Sequence, residues 1–80
     1  MSDILIIIPL RRYIMKIYVE KVRLEKRLTL AELSRLSGVA TSHIYNIEAG
    51  NKIPTLTVLC KLAAALEVPA AELFSCSDKE

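Results

Sequence analysis

At 80 residues the chain is long enough for one domain with a small core. Hydrophobic residues make up 52% of it and charged residues 25%, which excludes a disordered basic tail. The net charge of +2 hides a segregation, with ten Lys/Arg against four Glu in residues 11–61 and one Lys against four acids in residues 62–80. The basic middle suits an anionic partner, although on charge alone a solvated surface of mixed sign is the preferred reading.

In chain order, residues 4–8 are Ile-Leu-Ile-Ile-Ile and residues 13–18 are Tyr-Ile-Met-Lys-Ile-Tyr, both strand-like. Residues 9–12, with Pro9, are placed to turn the chain into a hairpin. An apolar run without alternation has no solvent face, so Ile4, Ile6, Ile7 and Ile8 need a cover. That cover is either the chain's own domain or, as expected for so small a protein, a second subunit. Met15 offers an alternative start, with the preceding residues as an upstream reading.

Helix 1 is expected over about residues 19–27, with Val19 and Val22 inward. Thr29 and Glu32 form a T-x-x-E capping box that opens helix 2, over about residues 30–37, with Leu33 and Leu36 as its apolar signal. Gly38 breaks that helix. Helix 3 follows over about residues 41–49, with Ile44 and Ile47 on one face, and Gly50 suits the left-handed stop. Two short helices about a glycine turn form a helix-turn-helix unit. Thr55 caps helix 4, which carries Leu56, Leu59, Cys60, Leu62, Ala63 and Leu66. Pro69 opens a short helix 5 with Leu73 and Phe74 inward, and residues 75–80 read as a fraying polar tail. The predicted core is Leu33, Val39, Ile44, Ile47, Leu59 and Leu66.

Several classes of function find no support. No apolar run approaches the ~20 residues of a membrane span. The start is a poor secretory signal, because Asp3 precedes the apolar stretch and Arg11 and Arg12 follow it, so a cytoplasmic protein is expected. Cys60 and Cys76 lack metal-ligand spacing, and His43 is the only histidine, so neither metal nor cofactor is expected. A reducing compartment disfavours a disulfide, and Cys60 reads as a small core residue. No nucleophile stands beside a base and a positioning acid, and no glycine loop cradles phosphate, so an enzyme is not expected.

The spacing of Val22-Arg23, Leu33-Ser34, Ser37-Gly38-Val39, Ile44, Ile47-Glu48, Gly50, Pro54 and Leu66 resembles the Cro/C1-type (Xre-like) helix-turn-helix family of bacterial and phage transcriptional regulators. The closing Leu66-Glu67-Val68 and Glu72-Leu73-Phe74 resemble its last short helix. The resemblance implies an all-α, five-helix, lambda-repressor-like DNA-binding domain over residues 19–74. It is preceded by the β-prone arm of residues 1–18 and followed by the tail of residues 75–80. It further implies double-stranded DNA as partner, a homodimer, and helix 3 as the element that reads the major groove.

By that resemblance, Thr41, Ser42 and Asn46 read bases, and Tyr45 reaches either a thymine methyl or a phosphate. His43 falls where the family contacts the DNA backbone. Asn51 and Lys52, in the loop after helix 3, offer phosphate contacts, as does the N-terminus of helix 2. The resemblance pairs Arg23 with Glu48, locking helix 3 to helix 1 through a planar fork. Three positions depart from the pattern. Leu30 stands where relatives place a phosphate-holding glutamine, Ala49 where some carry asparagine, and Ala40 where a capping Ser or Thr is usual, so Thr41 is either a cap or a base contact. The alternative function is a protein-interaction module, antitoxin-like, on the same fold, with the apolar arm as its active part.

Overall fold

The structure, a computed structural model, describes residues 4–8 and 13–78. It begins with two strands, β1 (Ile4–Ile8) and β2 (Tyr13–Ile17). Four α-helices follow: α1 (Val19–Glu25), α2 (Leu30–Ser37), α3 (Thr41–Glu48) and α4 (Leu56–Leu66). One 3-10 turn, Ala70–Glu72, then leads into β3 (Phe74–Asp78). The sheet has the order β1-β2-β3 and is antiparallel throughout, with Ile4 opposite Ile17 and Ile17 opposite Phe74. The predicted turn at residues 9–12 lies outside the described residues.

Several expectations are corrected. The fold is mostly helical but not all-α, and in place of a fifth α-helix there is a single 3-10 turn. Leu73 explains the short turn. Its side chain is fully buried and its carbonyl accepts the Tyr18 N–H at 2.8 Å, which draws the chain alongside β2 after three helical residues. The segment read as a fraying tail is strand through Asp78, because a ladder of backbone hydrogen bonds does not require apolar side chains. Ile17 is buried in the same core as the helices, and Met15 and Phe74 pack against it.

The helix ends follow local chemistry. Thr29 Oγ1 accepts the Glu32 N–H at 3.0 Å and Glu32 Oε1 accepts the Thr29 N–H at 2.8 Å, a complete capping box. Gly38 closes α2 at φ 77°, and its N–H reaches the Ser34 carbonyl at 2.9 Å. Thr55 Oγ1 accepts the Val58 N–H at the start of α4. α1 stops at Glu25, short of the expected end, because Arg27 takes a left-handed φ of 61° that no helix continues.

Leu33, Val39, Ile44, Ile47, Leu59 and Leu66 are all buried, joined by Ile17, Val19, Val22, Leu62, Ala63 and Leu73. Cys60, expected in this core, is exposed. The buried stripe of α4 is 59, 62, 63 and 66, the i, i+3, i+4, i+7 face, and residue 60 lies about 100° round the helix from residue 59.

Candidate nucleic-acid interface

α3 has eight residues, too few to hold a helix unaided. It is held instead by Ile44 and Ile47, both fully buried, which fix its rotation and turn the remaining positions outward. Its N-cap is Ala40, with no side-chain hydrogen bond. The Thr41 hydroxyl is therefore not spent as a cap, and Thr41 and Ser42 both stand exposed on the first turn. Tyr45 is 56% exposed. His43 and Asn46 are half-buried.

The loop after α3 is tied back to one residue. The Asn46 carbonyl accepts the N–H of Asn51 at 2.8 Å and that of Lys52 at 3.3 Å. In the side chains, Asn51 Nδ2 donates to Asn46 Oδ1 at 3.2 Å. The Asn46 amide is thus oriented with its NH₂ free to donate and a lone pair of its oxygen still free to accept. Asn51 and Lys52 are themselves exposed. This amide pair was missed in the sequence, where two asparagines five apart carry no recognisable signal. Tyr18, whose hydroxyl lies 3.0 Å from Ser75 Oγ and joins the start of α1 to β3, was missed because its partner is 57 residues away in sequence.

Arg23 and Glu48 are brought together across 25 residues of sequence. Arg23 Nε donates to Glu48 Oε2 at 2.8 Å and Nη2 donates to Oε1 at 3.1 Å. Nη1 donates to the Leu28 carbonyl at 2.8 Å. The guanidinium therefore binds α3 and the α1–α2 turn at once. The hydrogen bond to Glu48 raises the Arg23 pKa above its ordinary value, against the opposing effect of burial. The pair lines a shallow hollow with Glu20, Leu30, Tyr45 and Ala49. Leu30 is half-buried against the core, so its position serves packing.

The N-terminus of α2 is partly occupied by its own side chains. The capping box consumes the Glu32 N–H and sets a carboxylate at that end. Hydrogen bonds from the Thr29 backbone, then the Thr29 side chain, hold its pKa below the ordinary glutamate value. It stays charged at neutral pH and opposes a phosphate there. The exposed donors gather instead on α3 and the loop behind it. Among the described residues no cluster of His, Cys, Asp and Glu is placed to hold a metal, and no helix is long and apolar enough to cross a membrane.

The chain is similar to known proteins in sequence and in fold. The helix-turn-helix family model matches residues 19–73. The chain is 36% identical over 59 residues to an uncharacterized HTH-type transcriptional regulator, y4dJ, of Sinorhizobium fredii, covering 74% of this chain and 77% of that protein. It is also similar to the crystal structure of the restriction-modification controller protein C.AhdI from Aeromonas hydrophila. The TM-score is 0.66 at 31% identity, over 68% of this chain and 82% of that one.

Proposed function

The chain belongs to the Cro/C1-type helix-turn-helix family of transcriptional regulators, and from that premise we propose that it represses transcription by reading a specific DNA operator as a homodimer in the cytoplasm. The observation that carries this reading is the constitution of α3. One face is locked by Ile44, Ile47 and the Arg23–Glu48 pair, and Thr41, Ser42, Tyr45 and Asn46 project from the rest. Hydroxyl and amide groups both donate and accept, which is what base edges in the major groove require. Thr41, Ser42, Asn46 and Tyr45 are assigned to bases. His43, Asn51 and Lys52 are assigned to the flanking phosphates, which set the register of the helix but carry no sequence information. Arg23 and Glu48 act as positioning residues. Two such heads, about 34 Å apart, meet successive half-sites on one face of the duplex.

The test is binding to mixed DNA fragments as salt is raised. A phosphate-contacting regulator loses affinity linearly in log salt, by about one power of salt per phosphate neutralised, and it enriches a palindromic fragment from the pool. A chain that binds no DNA even at low salt is the protein-interaction module instead.

A further inference from the structure

Among the described residues β1 has one neighbour, β2, so its outer edge presents backbone N–H and C=O groups without sheet partners. Proteins ordinarily blunt such an edge with charge, proline or a bulge. The opposite edge strand, β3, is blunted in this way: it reads Phe-Ser-Cys-Ser-Asp, polar and ending on a carboxylate. β1 reads Ile-Leu-Ile-Ile-Ile, with no charge, proline or glycine. One edge of the sheet is protected against pairing and the other is suited to it.

We infer that the outer edge of β1 pairs antiparallel with β1 of a second copy, joining two three-stranded sheets into one. This deepens the homodimer proposed above and rests on it. A two-fold axis sets each residue of the strand against another residue of the same strand, and an entirely apolar strand is complementary to itself. The symmetry also sets the direction, because a two-fold axis perpendicular to the sheet relates two edge strands as an antiparallel pair. The same two-fold symmetry is what a palindromic pair of half-sites demands.

Sedimentation of the full chain without DNA tests the interface. The parent is expected to be a dimer. Ile6→Lys and Ile7→Lys are each expected to raise its dissociation constant by at least about tenfold, because each puts two charges, one from each copy, into an otherwise apolar strand pairing. Successive strand residues face opposite sides of a sheet, so the two variants probe both faces. Amide exchange of the unaltered chain covers the case in which a variant fails to fold: exchange across residues 4–8 slows as concentration rises through the dimer range. A dimer undisturbed by both variants, or new protection on the helices with none on β1, overturns the β1 interface and leaves the homodimer standing. A parent that stays monomeric at high concentration overturns both. None of these readouts uses DNA, so a failure of operator reading is seen separately.

Discussion

Glu48→Ala is expected to lower the stability of the fold by about 3–5 kcal/mol, the cost of leaving a buried guanidinium without its carboxylate. Arg23 is 8% exposed and Glu48 6%, so water does not replace the lost partner. Nε and Nη2 lose their acceptors, and only the Leu28 carbonyl remains to Nη1. Arg23→Lys is not conservative here, because an ammonium cannot make the two-pronged contact with Glu48 and reach Leu28 as well. The double variant Arg23→Met, Glu48→Leu removes both charges together and is expected to cost less than Glu48→Ala alone. The sign of the pH dependence follows from the raised guanidinium value. The contribution of Arg23 is complete below the ordinary arginine pKa and is lost only as pH rises through the higher folded one. No loss on this account is expected near neutrality. Urea denaturation checks the prediction, and an unchanged midpoint for Glu48→Ala shows that the pair does not hold α3.

Ile47→Ala is expected to cost about 2–5 kcal/mol, through lost burial and the cavity left behind. The side chain is fully buried. α3 lacks a side-chain N-cap and has no charged residue of helpful sign in its first or last turn, so core burial and the Arg23–Glu48 pair are what hold it. In a domain of this size the melting temperature falls by roughly 4–8 °C for each kcal/mol lost, so the shift is large enough to read directly. A melting temperature equal to the parent's contradicts the assignment of Ile47 to the core.

Much of the helical domain was legible because its signals are local. Thr29 and Glu32 lie three apart, Gly38 and Gly50 both take positive φ, and the stripe of α4 has a helical period. What was missed depends on distant parts of the chain. Phe-Ser-Cys-Ser-Asp has no strand pattern of its own and becomes β3 because Leu73 is anchored beside Tyr18 and β2 lies open next to it. The same anchoring cuts the fifth helix to one turn, although Pro69 is a sound helix opener. Cys60 was placed in the core because an apolar-rich helix invites a wide stripe, and only packing shows how narrow it is. In the site, no local rule links Arg23 to Glu48, and only the resemblance to a family suggested the pair. The exposed polar face of α3 was legible from the positions of Ile44 and Ile47. The Asn51 amide that orients Asn46 was not, because it depends on how the following loop folds back.

In the proposed function α3 reads base edges while the loop behind it holds phosphate. The most direct test compares Asn46→Ala and Lys52→Ala for binding to an operator selected from mixed fragments, and to that operator with single base changes, across a range of salt. Asn46→Ala is expected to lose about 1–3 kcal/mol on the selected operator and to discriminate less at one base position, with the salt slope unchanged. Lys52→Ala is expected to weaken all sequences alike and to reduce the salt slope by about one. If both variants bind the selected operator with the parent's affinity and specificity, α3 is not the reading element.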